Sequence, residues 1–119
     1  MTSLFGISNC NSVKKARSFL SEHGVDYTFI DLKKIQLSPE QVSQWLQIVG
    51  VQNLINRKGT SWRNLSEAEK LMADSTGDAV TLILHYPTLI KRPLIEWNNN
   101  DITVGFDETF FTEQIIKNS

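Results

Sequence analysis

Short, dense apolar runs alternate along this chain with stretches in which apolar residues return every three or four positions. The first dense run covers residues 3 to 8 and predicts a buried strand. From Val13 the rhythm changes. Val13, Ala16, Phe19 and Leu20 share one face of a helix over about 13 to 23, with Asn11 or Ser12 as its cap and Gly24 as its stop. Val25 to Leu32, rich in aromatic and branched residues, reads as a second strand. A strand, a helix and a strand within 32 residues open a parallel α/β sheet.

The middle of the chain is helical. Ser38, Pro39 and Gln41 form a start signal of cap, first-turn proline and capping box, and Val42, Trp45, Leu46 and Val49 form the apolar face up to Gly50. A helical turn around 51 to 55 and a polar loop over 56 to 63 follow. Ser66 and Glu69 make a second capping box, and Asp78 is read as the cap of another helix carrying Val80, Leu82, Ile83 and Tyr86. The stretch from Thr88 to Trp97 leads into a third strand. Asn98 to Asp101 is a turn, and Ile102 to Val104 a fourth strand antiparallel to the third. Asp107 caps a last helix with Phe110, Phe111 and Ile115. The order β-α-β, helices, β-β-α is that of an α/β, thioredoxin-like mixed four-stranded sheet. It predicts one domain over 1–119 with a helical insertion at about 38–86.

Composition narrows the function classes. The chain has 119 residues, 40% hydrophobic and 21% charged, which suits a globular core. A net charge of -1 without a long run of one sign argues against binding nucleic acid or an anionic membrane by bulk charge. The apolar runs are too short to span a bilayer, no secretory signal is apparent, and a single cysteine makes no internal disulfide. A cytoplasmic monomer is the expectation. One cysteine and two separated histidines also make no zinc site.

That cysteine, Cys10, falls between the first strand and the first helix. A helix N-terminus presents unpaired N–H groups and the positive end of the helix dipole. Both favour a thiolate, which is the nucleophile, and Lys14 and Lys15 add positive charge. The other reading of a lone cysteine is a small buried packing residue. Ser12 can donate to the thiolate or simply cap the helix. Arg57 and Lys58 fit solvated loop charges as well as an anion site. Arg63 suits a local surface contact. His23 and His85 suit helix ends, and Trp45, Trp62 and Trp97 suit core or partial cover.

The stretches Phe5–Cys10, Val13–Arg17 with Leu20, Glu22–Val25, Leu54–Gly59, Pro87–Pro93 and Val104–Phe106 resemble the glutaredoxin-linked arsenate reductase (ArsC) family. The wider group includes the transcription regulator Spx, and the nearest likeness is to small bacterial ArsC-like reductases. The resemblance implies a thioredoxin fold with a helical insertion, Cys10 as nucleophile, and glutathione or glutaredoxin as the source of electrons. It implies that Arg57 and Arg92 line an oxyanion site and that Pro93 is a cis-proline. Three positions depart from the pattern. Gly6 stands where the reductases proper carry a histidine, Thr103–Asp107 lacks their third arginine, and Val13 stands where Spx regulators carry a second cysteine.

The chemistry expected is that of one thiol. Cys10 attacks an oxyanion such as arsenate, or a glutathione mixed disulfide, and an external thiol resolves the adduct. Arg57 and Arg92 would hold the oxyanion or the carboxylates of glutathione, with Ser12 and Lys14 beside the thiolate. The rival expectation is an Spx-like module that does no chemistry and binds a protein partner such as RNA polymerase.

Overall fold

The computed structural model describes residues 1–119. Its strands are β1 (Thr2–Gly6), β2 (Tyr27–Asp31), β3 (Leu94–Glu96) and β4 (Ile102–Val104). Its helices are α1 (Asn11–Glu22), α2 (Pro39–Val49), α3 (Val51–Leu54), α4 (Thr60–Arg63), α5 (Glu67–Leu71), α6 (Thr76–His85) and α7 (Glu108–Lys117). The chain divides into two compact units, one made of residues 1–34 with 92–119 and the other of residues 35–91.

The first unit is the sheet unit. Its strand order is β2-β1-β3-β4, with β1 parallel to β2 and antiparallel to β3, and β3 antiparallel to β4. This is the mixed, thioredoxin-like α/β sheet that the pattern predicts. The first strand ends two residues earlier than expected, because Ile7 and Ser8 lie outside the ladder. Leu4 and Ile95 pair across β1 and β3 and lie in one core with Val13, Ala16 and Leu20 of α1, Trp97, and Phe111 of α7. Each is essentially inaccessible, so each of the Val, Leu, Ile and Phe side chains contributes about 1.5–3 kcal/mol and Ala16 less. Phe111 meets Trp97 and Phe106 nearly edge-on, at ring centroid distances of 5.4 and 4.9 Å. The buried indole Nε1 of Trp97 donates to Thr103 Oγ1 at 2.9 Å, which removes the penalty of an unpaired donor.

The second unit is helical. Trp45 of α2 is fully buried, as are Ala79 and Ile83 of α6. Ser38 Oγ accepts the Gln41 N–H at 3.1 Å, so only the forward half of the expected capping box is present. The cap of α6 is Ser75, not Asp78. Ser75 is extended and its Oγ accepts the Asp78 N–H at 3.4 Å, which leaves Asp78 as a first-turn acid. The polar loop at 56–63 ends in the helical turn α4. Arg63 fastens it, donating to Lys58 O at 2.9 Å and to Thr60 Oγ1 at 3.1 Å. Lys91 N–H donates to Leu54 O at 2.7 Å, and Asn56 N–H to Leu89 O at 2.8 Å.

The capping box at α5 extends to α6. Glu69 Oε1 accepts the Ser66 N–H at 2.8 Å, and Glu69 Oε2 accepts the Tyr86 hydroxyl at 2.6 Å. The Tyr86 hydroxyl, then the Ser66 N–H, hold the Glu69 carboxyl below its ordinary 4.5, while the same carboxylate raises Tyr86 above its ordinary 10.0. A lowered carboxyl stabilises the fold above its unfolded pKa, and that stability is lost as pH falls through the lowered value. A raised phenol stabilises below its unfolded pKa and loses this as pH rises through the raised value. Tyr86→Phe should therefore lower Tm at pH 7. The gap from the parent should close both below about pH 4 and above about pH 10. Thermal unfolding across pH tests this, and a pH-independent gap would show that the pair is not its source.

Candidate functional site

The site residues of the sheet unit gather where β1 ends. Gly6 closes β1, pairs with Asp31 of β2, and accepts the Leu32 N–H on its carbonyl at 2.8 Å. Four residues later stands Cys10. It is extended (φ -146°, ψ 122°), and its carbonyl accepts the Lys14 N–H at 3.0 Å, which makes Cys10 itself the N-cap of α1. Asn11 and Ser12 are already helical, so the cap expected at one of them lies at Cys10 instead. Ser12 and Lys14 are exposed in the first turn, which carries no acid. The Cys10 side chain is half-buried against the core that holds Val13, and it makes no capping hydrogen bond.

β3 brings in the second part. Phe5 of β1 lies opposite Leu94, so the register carries Arg92 and Pro93 to the end of β1 that leads into Cys10. The Arg92–Pro93 peptide bond is cis. Pro93 is buried, and its carbonyl accepts the Gly105 N–H at 2.9 Å. Arg92 is half-buried. Beside α1 runs a groove of about 620 Å³, lined by Lys14, Lys15, Phe19 and Phe106 with Asp107 and Glu108 of the α7 start.

Arg57 belongs to the helical unit. It is exposed, with its guanidinium carbon 4.9 Å from the Trp62 ring centroid, a cation–π contact. With Lys58, Lys91, Asn53 and Asn56 it lines a recess of about 240 Å³. The cationic character of this recess was only half legible in the sequence, because Lys58 reads as loop charge and Lys91 is remote from both.

Both histidines stand at helix C-termini. His23 caps α1, with Nδ1 2.8 Å from Phe19 O and its ring stacked on Phe19 at 4.0 Å. His85 ends α6. No three His, Cys, Asp or Glu side chains are grouped to hold a metal ion. No helix is long and apolar enough to cross a membrane.

One contact at this site has no signature in residue type alone. A Cβ on Gly6 would lie 2.7 Å from Val13 Cγ2 and 3.1 Å from Cγ1. The end of β1 and the first turn of α1 thus meet with space for a hydrogen atom only. A small residue before the cysteine and a β-branched one just after it are the only trace of this in the sequence.

The cap assignments separate two serines. Ser12→Ala removes no cap and should change stability by less than about 0.5 kcal/mol. Ser38→Ala removes the oxygen that Gln41 N–H uses and should cost about 1 kcal/mol. Urea denaturation of both variants tests this, and an equal loss in the two would return Ser12 to a capping role.

Residues 5–113 match the ArsC family. The solved structure of a YFFB protein is 37% identical, covers 96% of this chain and 98% of that one, and superposes with a TM-score of 0.88. An arsenate reductase (ArsC) related protein from Brucella melitensis is 38% identical, with 94% and 92% of the two chains covered and a TM-score of 0.72. The global transcriptional regulator Spx of Staphylococcus aureus is 27% identical over 111 residues, 91% of this chain and 82% of Spx. With the match spanning both the Cys10 loop and the Arg92–Pro93 turn, this chain belongs to the ArsC family.

Proposed function

We propose that the protein is a single-thiol reductase whose preferred oxidant is a glutathione mixed disulfide. One observation carries the reading: the chain's only cysteine is the N-cap of α1, and the sheet register brings the cis Arg92–Pro93 turn to the same end of β1. The Cys10 thiolate attacks the glutathione sulfur of the mixed disulfide, and the substrate leaves as its thiolate. This forms a Cys10–glutathione disulfide. A second glutathione, or the thiol of a glutaredoxin, attacks the glutathione sulfur of that adduct. It releases Cys10 as thiolate and leaves as oxidised glutathione or glutathionylated glutaredoxin. Exchange of this kind requires a thiolate with an open line of approach. A tetrahedral oxyanion such as arsenate asks in addition for several converging cationic donors. Within the sheet unit, Arg92 is the residue proposed to hold the anionic groups of the substrate, with Ser12 and Lys14 flanking the thiolate.

The 27% identity with Spx supports a second reading, a module that binds a protein such as RNA polymerase without chemistry. The two separate in one assay. The protein is given a glutathione mixed disulfide, or arsenate, with excess glutathione, and turnover is followed alongside the Cys10→Ser variant. Serine is a good N-cap, so the variant keeps the fold. Turnover by the parent on the mixed disulfide and a loss of more than about a hundredfold in Cys10→Ser are expected. Equal rates in the two proteins would sink the reductase reading. No turnover on either oxidant, with purified RNA polymerase retained by the protein, would establish the second.

A further inference from the structure

We infer that the Gly6–Val13 contact is the positioning device of the Cys10 thiol: glycine is required at position 6 to let the first turn of α1 seat on β1. The inference builds on the reading of Cys10 as the nucleophile. Gly6 is not a glycine of conformational necessity. The positive-φ glycines are Gly24, Gly50 and Gly105, and Gly6 is not among them. What position 6 lacks is space. A Cβ there would meet Val13 Cγ2 at 2.7 Å, Cγ1 at 3.1 Å and Cβ at 3.5 Å.

Both partners resist movement. Gly6 is fixed on its strand by the pairing with Asp31 and by the Leu32 N–H on its carbonyl at 2.8 Å. Val13 is fully buried in the core of Leu4, Ala16, Leu20, Ile95, Trp97 and Phe111. Rotating Val13 about χ1 gives only partial relief, because at least one γ position facing Gly6 stays occupied. Both of its γ carbons already crowd the position, and a β-branched side chain in a helix has one strongly preferred rotamer. The strain from any side chain at position 6 therefore passes to the backbone of the first turn, which must move by several tenths of an ångström. Cys10 is the N-cap of that turn and is bound to it through the Lys14 N–H at 3.0 Å. A displacement there moves the sulfur relative to the core and to the N-terminus of α1. Reaction rates are steep in such displacements, falling by up to about a hundredfold for 1 Å. Position 6 itself therefore offers the thiol no side chain.

The test is a mutant cycle read by alkylation of Cys10, the only thiol in the chain, with iodoacetamide at pH 7 in the native protein. Gly6→Ala should slow alkylation at least about fivefold. Gly6→Ala combined with Val13→Ala removes the clash and should restore the rate to within about threefold of the parent. A folded Gly6→Ala protein that reacts at the parent rate overturns the inference. So does a double variant that stays slow, because the contact would then not be the cause. If Gly6→Ala alone fails to fold, the double variant decides. A folded and reactive double variant supports the contact, and an unfolded one overturns it. Alkylation needs no turnover, so failure of the parent to reduce any substrate would remove the reductase reading while leaving this cycle to judge the contact.

Discussion

Everything at the reactive end of the sheet unit depends on the seating of α1 against β1 and β3. Val13, Ala16 and Leu20 lie on one helical stripe and are all fully buried with Leu4, Ile95, Trp97 and Phe111. Each contributes about 1–3 kcal/mol by leaving water, and sliding the helix along or around its axis would expose them together. Exposed Lys14, Lys15 and Ser18 on the far side give the helix no second way to pack. Cys10 inherits this constraint because it is part of the same turn as Val13. A nucleophile on a loop would depend on that loop's own order. Here the thiol is placed by the hydrophobic core.

The sheet supplies the second constraint. Parallel pairing with β2 ends at Gly6 and Asp31, and the antiparallel register with β3 delivers Pro93 to the same level. In open α/β sheets ligands bind beyond the carboxyl ends of parallel strands, because chain departures there leave a crevice and helix N-termini point into it. The arrangement at Cys10 has that form. β1 leaves the ladder, a loop of three residues turns, and α1 begins with its positive end toward the gap and no acid in its first turn. The net charge of -1 conceals this local excess of positive charge.

Most of the fold was legible in the chain because its elements have sharp signals. Dense apolar runs located the strands and apolar residues at helical spacing the main helices, and the short 98–101 turn identified the β3–β4 hairpin. Caps were legible where one good capping residue stood alone before its helix, as Ser38, Ser66 and Asp107 do. At Asp78 two good capping residues lie three apart, Ser75 and Asp78, and the one whose backbone is extended wins, with its partner's N–H as the donor. At α1 the sequence offers Asn11 and Ser12, both favoured caps, yet Cys10 holds the position. The burial of Val13 sets where the helix begins, and capping preference is too weak to move it. The site was legible for Cys10, Arg92 and Pro93, whose residue types carry chemistry or geometry. It was not legible for Gly6 and Val13. Their role is a distance between two elements, and no single residue type encodes a distance.

The same valine gives the chemistry its open form. Val13 follows Cys10 by three residues and is sealed in the core, so the next inward position of the helix offers packing and no second thiol. A disulfide formed at Cys10 therefore has no internal route back to thiol. Thiol–disulfide exchange then requires an attacking thiol from solution or from another protein, and the rate of recovery scales with its concentration. In the proposed cycle the capture step belongs to the protein and the release step to the surrounding thiol pool. The fraction of the protein held as a mixed disulfide would thus follow the ratio of oxidised to reduced thiol around it. A two-cysteine enzyme would release its substrate by internal attack and lose that dependence. In the proposed cycle, one apolar residue therefore bears both on how the thiol is held and on what must complete its reaction.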